Sequence, residues 1–174
     1  MNRIVKMAAA SAVLLGSLVF AGTAAFGGSS PADGPVQLFG TPNSDGSAQV
    51  VLTGAVGDFG TATSANSAGK PDPKGGYKLL TLSKGTILVN TKAEVNNGPP
   101  TTFNSKTCSA TFVHTATDPV VSGTGLYVGI DGALNLTLSF ALVFPSTNGK
   151  CDTSNSAVPL AQYGSVMGSG TVDF

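Results

Sequence analysis

From residue 133 to residue 144 apolar and polar positions alternate. Leu134, Leu136, Leu138, Phe140, Leu142 and Phe144 fall on one side, and Ala133, Asn135, Thr137, Ser139, Ala141 and Val143 on the other. A period of two over that length predicts a β-strand with one apolar face. The same reading places strands at residues 48–56, 77–82, 86–95, 108–117, 120–123, 158–163 and 165–174. Stretches dense in glycine, proline, asparagine and serine separate them, notably 67–76 and 96–100. No internal repeat of solenoid or propeller period is present. So many short strands in one chain of this size predict a single all-β domain, either a sandwich or a closed antiparallel barrel. Closure is the favoured solution because it removes exposed strand edges.

The first residues follow a different pattern. Arg3 and Lys6 precede an apolar run over 7–20, and the small residues Ala21, Gly22, Thr23, Ala24 and Ala25 follow it. This is the layout of a secretory signal peptide, assigned to residues 1–25. The apolar run falls short of the roughly 20 residues a transmembrane span needs, so no stable transmembrane anchor is expected. Residues 26–46, which include GGSSPADGP, are expected to form a flexible lead-in to a barrel domain over 47–174. Cleavage after Ala25 leaves seven lysines against nine acids and no arginine, too little clustered positive charge for nucleic-acid binding. The expected destination is the extracellular space or the cell envelope. In that oxidising setting Cys108 and Cys151 are expected to form a structural disulfide, which stabilises by about 4 kcal/mol in the chain-entropy model.

Candidate chemistry is sparse. Gly123, Gly125 and Gly129 open like a phosphate loop. The spacing is wrong for a dinucleotide fingerprint, however, and a strand rather than a helix follows. These glycines are read as a turn, with Asp131-Gly132 as the hairpin signal and Gly129 as a bulge. One histidine and two paired cysteines cannot build an ordinary zinc site, and no nucleophile motif or calcium loop is present, so no metal or cofactor is expected. Strand parity sets His114 on one face with Cys108, Ala110, Phe112 and Ala116, a face expected to point inward. A lone inward histidine is more often a hydrogen-bonded core residue than a general base. Tyr127 is expected at a barrel end, either meeting a ligand at the mouth or plugging the barrel. Asp58 and Asp131 sit beside turn glycines, where an aspartate caps backbone amides.

Five segments in order, GAVGDFGTATS (54–64), KGTILVNTKAE (84–94), PPTTFNSKTCSATF (99–112), GTGLYVGIDGALNLT (123–137) and YGSVMGSGTVDF (163–174), resemble a group of secreted actinobacterial proteins. That group in turn resembles the allene oxide cyclase and dirigent barrels. The resemblance implies an eight-stranded antiparallel barrel with a central cavity, and it carries over no catalytic residue. The mature chain has no arginine of the kind dirigent chemistry uses, and the resemblance does not place the buried acid of the cyclases on any residue of this chain.

The leading functional expectation is a secreted barrel that binds a small lipophilic molecule, with His114, Phe112, Tyr127 and Asp58 as candidate ligand-binding residues. The alternative is a structural or surface-associated protein whose barrel is filled by its own side chains. An enzyme of cyclase or dirigent type ranks third. An outer-membrane barrel ranks last, because most strands are shorter than the about 9 to 11 residues a membrane strand needs or have mixed faces.

Overall fold

Eight antiparallel strands close on themselves, and a ninth lies along the outside. The computed structural model describes residues 31–43, 45–94, 100–154 and 156–174; the expected signal peptide lies outside the described residues. The strands are β1 (Gly34–Pro42), β2 (Ala48–Gly54), β3 (Asp58–Ala65), β4 (Tyr77–Leu82), β5 (Gly85–Asn90), β6 (Thr102–Asn104), β7 (Ser109–Gly123), β8 (Asp131–Val143), β9 (Ser146–Thr147), β10 (Lys150–Cys151) and β11 (Ala161–Asp173). Around the barrel the order is β5-β4-β3-β2-β1-β11-β8-β7, and β5 pairs with β7 to close it. β6 extends the sheet beyond β7.

Alternation along each strand builds the core. Val36 and Leu38 of β1, Val50 and Leu52 of β2, Leu80 and Leu82 of β4, Ile87 and Val89 of β5, and Leu134 and Leu136 of β8 are buried inside. Many outward positions are threonine, serine or asparagine, and some of these pair across strands: Thr115 with Thr137 at 2.9 Å, and Thr117 with Asn135 at 2.6 Å. On β11 the inward Gly168 and Gly170 mark close approach. A Cβ at either would lie 2.0 or 1.9 Å from the carbonyl oxygens of Asn135 and Ala133 on β8. Only glycine lets the two backbones approach that closely where the barrel coils.

The strands differ in length, and this shapes the two ends. β8 and β11 pair along their full 13 residues. β1 reaches only from Gly34 to Gly40 against Val172 to Val166, so the first residues of β11 run past it. β5 meets β7 only at Ile87–Gly123, Leu88–Ser122 and Val89–Val120, skipping Val121. Below that short seam β7 continues to Ser109 without β5, and β6 pairs its free edge at 109–111. The ends of β7, β8 and β11 thus form an overhang beyond one rim of the barrel. The Cys108–Cys151 disulfide, with Cα atoms 5.3 Å apart, ties its tip together as expected.

Several expectations are corrected. Residues 34–42, placed in the flexible lead-in, form β1, which sits between β2 and β11. The segments 108–117 and 120–123 are one strand, and Pro119 between them sits where the β5 ladder ends. Residues 158–160 are not strand, and 161–163 belong to the start of β11. β5 stops at Asn90, and a 3-10 turn follows at Lys92–Glu94. Asp131-Gly132 opens β8 instead of forming the hairpin turn. The connection from β7 runs through a 3-10 turn at Gly125–Tyr127, and Gly129, with φ of 91°, belongs to that connection and not to a bulge. β3 was not anticipated. Its inward residues Asp58, Gly60 and Ala62 carry no large apolar group, so its pattern is silent.

Candidate functional site

The closed end of the barrel gathers the β2–β3, β4–β5 and β7–β8 connections. Asp58, buried at the first position of β3, accepts four hydrogen bonds there. Its Oδ1 takes the Phe59 amide at 2.8 Å and the Ser83 hydroxyl at 2.5 Å. Its Oδ2 takes the Lys84 amide at 3.0 Å and the Tyr127 hydroxyl at 2.5 Å. Burial by itself pushes the carboxyl up. The hydrogen bonds, those of Ser83 and Tyr127 first, outweigh it and hold the pKa down at about 2. Tyr127 is fully buried, so burial and then its bond to Asp58 drive the phenol well above its ordinary range. Its ring lies 6.4 Å from that of Phe174. The sequence reading set Tyr127 either at a ligand mouth or in a plug, and the structure makes it the plug, with Asp58 as its acceptor.

The other end is open. Inside it lies a cavity of about 340 Å³. Its wall is apolar, built from Leu38, Val50, Leu80, Leu134, Leu136 and Leu138, and Phe140 stands near the rim. Polar groups gather where it opens: Asn43 and Ser47 of the β1–β2 turn, Thr91 just past β5, and Gln162 at the start of β11. Among the described residues Lys78 is the single charged one that lines it. It occupies an inward position of β4, two residues before the buried Leu80, and its Nζ donates to Ser64 Oγ at 2.9 Å. Among the described residues no carboxylate lines this cavity.

The four sequence candidates all lie outside that wall. Asp58 and Tyr127 meet at the opposite end. His114 and Phe112 take the inward face of β7, as parity predicts, and both are half-buried. His114 Nε2 sits 2.9 Å from the Ala93 carbonyl oxygen, which ties β7 to the 3-10 turn beyond β5, in keeping with a hydrogen-bonded structural histidine. Asp118, fully buried on the same face, went unremarked in the sequence although its parity with Ala116 and His114 marks it as inward. Lys78 was missed too, and the same signal was present. It shares a strand face with Leu80 and Leu82, an unusual place for a lysine. Among the described residues no group of three or more histidine, cysteine or acidic side chains could hold a metal ion, and no helix is long and apolar enough to cross a membrane. No protein-family model matches the chain, and no curated protein or solved structure matches it.

Proposed function

We propose that this chain is a secreted barrel that holds a small lipophilic molecule. One observation carries the reading: an apolar cavity of about 340 Å³, open at one end, with its polar groups confined to the rim. Ligand sites have this composition, an apolar body with a few polar groups that fix orientation, and this cavity falls within their usual range of roughly 300 to 1,000 Å³. A barrel filled by its own side chains leaves no such space, so the same observation weighs against the structural alternative. The oxidised Cys108–Cys151 pair fits a chain that works outside the reducing cytosol. Lys78 supplies the one charge at the rim, and an acceptor group on the ligand would complete its hydrogen bonds. An enzyme of cyclase or dirigent type would need two or more titratable groups converging in the cavity, and Lys78 stands alone among those that line it.

The test is native mass spectrometry of protein purified from its own culture supernatant, set against the same sample denatured. The expected result is a small molecule that leaves on denaturation and is absent from an Ala62→Phe variant. Ala62 faces the cavity, so a phenyl ring there occupies the space. A bare mass, together with no uptake of an apolar fluorescent probe, would overturn the reading.

A further inference from the structure

The overhang at the open end combines two features. The first is exposed apolar side chains. Val158, Leu160 and Tyr163 are 78%, 71% and 69% exposed, and Val143 stands beside them. They form one patch because the Leu160 amide bonds the Val143 carbonyl and Tyr163 pairs with Ala141 in the next strand. Soluble surfaces leave single apolar side chains exposed as a matter of course, whereas a cluster marks an interaction site.

The second feature is charge. Lys106 lies in the β6–β7 turn and Lys150 opens β10, each within two residues of a cysteine of the disulfide. The disulfide therefore holds both ammonium groups at one tip. Asp152 is the acid at that tip, and its carboxylate is engaged by the Ser154 amide at 3.0 Å. At the closed end Asp33, Asp58, Asp131 and Asp173 stand against Lys84 alone, whereas at the open end Lys70, Lys74, Lys78, Lys92, Lys106 and Lys150 outnumber Asp45, Asp72, Glu94 and Asp152. An anionic surface therefore attracts the open end and repels the closed one.

We propose that the overhang docks on an anionic lipid bilayer. Val158, Leu160 and Tyr163 enter the interface while Lys106 and Lys150 meet the headgroups. Apolar burial combined with attraction to anionic lipid is the general basis of interfacial binding, and tyrosine suits that boundary because its ring is apolar and its hydroxyl wet. Docked in this way, the barrel turns its open end, and with it the cavity, toward the lipid. The inference goes beyond the binding reading and holds whether or not the cavity is occupied. A second exposed apolar row, Met167, Phe39, Val51 and Phe59 across β11, β1, β2 and β3, has no lysine within it and serves as the internal control.

The experiment is flotation of protein taken from the medium of an expressing culture, its N-terminus verified by mass, with vesicles of phosphatidylcholine alone or with one third phosphatidylglycerol. Binding is expected only to the anionic vesicles. It should fall as salt shortens the screening length from about 10 Å at 0.1 M to about 3 Å at 1 M. Lys106→Gln and Lys150→Gln should each weaken it roughly fivefold. The paired change Val158→Ser with Leu160→Ser should weaken it tenfold or more, and Phe59→Ser should leave it unchanged. All five positions are exposed, so melting curves should stay close to the parent and loss of fold is excluded directly. The proposal is overturned by absence of flotation with either vesicle, by equal flotation with both, or by equal loss in the Phe59→Ser protein. It is also overturned if light scattering reveals a dimer that the Val158 and Leu160 changes dissolve, which would assign the patch to a second copy of the chain.

Discussion

The two ends of this barrel are made from the same strands and have opposite character. At the closed end a buried carboxylate has four donors, a tyrosine plugs the axis, and Val172, Ile130 and Ile87 are almost fully buried. At the open end the strands stop at different heights and the interior is partly empty. Strand length accounts for much of the contrast. Where β1 to β5 and their partners run together, side chains meet across the axis; where β7, β8 and β11 continue past them, β7 is met by the 3-10 turn through His114 and by β6. One end supplies stability and leaves the other free to offer surface and space.

That comparison can be broken most directly through the overhang's only covalent tie. Reduction and alkylation of Cys108 and Cys151 should destabilise the protein by about 4 kcal/mol, since the bond spans 43 residues. An unchanged thermal melt after reduction would show that the overhang holds without it. Truncating each end is the next sharpest test. Ile130→Ala, in the closed end, should cost about 2 to 5 kcal/mol. Leu138→Ala, on the half-buried wall of an existing cavity, should cost clearly less, because a void already borders it. Equal losses by denaturant titration would mean that the two ends are packed alike.

Acid should single out the closed end. The folded pKa of Asp58, about 2, lies below the roughly 3.9 of an unfolded aspartate. Its contribution is therefore fully present above about pH 4 and is lost as pH falls through 2, a total of about 2 kcal/mol. Tyr127→Phe removes one donor, so it should lower stability at pH 7 by about 1 to 3 kcal/mol and flatten the fall between pH 4 and 2. A variant whose acid limb matches the parent's would remove Tyr127 from the network. The smallest effect is expected on the outer face. Thr137→Ala, which loses one exposed hydroxyl pair with Thr115, should change stability by no more than about 0.5 kcal/mol.

Where large apolar residues alternate, the sequence was legible. β4 was located to the residue and β8 to within two, and the cysteine pair followed from number and setting. Legibility failed where the inward positions are small or polar, as in β3, and where punctuation carried a second meaning. The proline at 119 marks the end of one ladder, not of the strand. A hairpin signal was also passed over: Asn148-Gly149, with φ of 52° and 74°, joins β9 to β10 in the way an Asn-Gly pair favours. For the site, four of the five segments carrying the resemblance contribute to the closed end, where Asp58, Lys84, Tyr127 and Phe174 gather. Those motifs therefore spoke of scaffold, and the residues around the cavity lay mostly elsewhere.

The sequence by itself determined the class of the molecule. Alternation decides which side chains point in, and two cysteines decide the one cross-link. These are local properties, fixed by backbone geometry at each position. Only the tertiary structure decided that Tyr127 reaches Asp58 across 69 residues, that Lys78 faces an apolar cavity, and that two distant turns share one charged, apolar tip. Such facts depend on how far each strand runs before its neighbour ends. That is set by pairing register between segments remote in the chain, which a reading of one strand at a time does not contain.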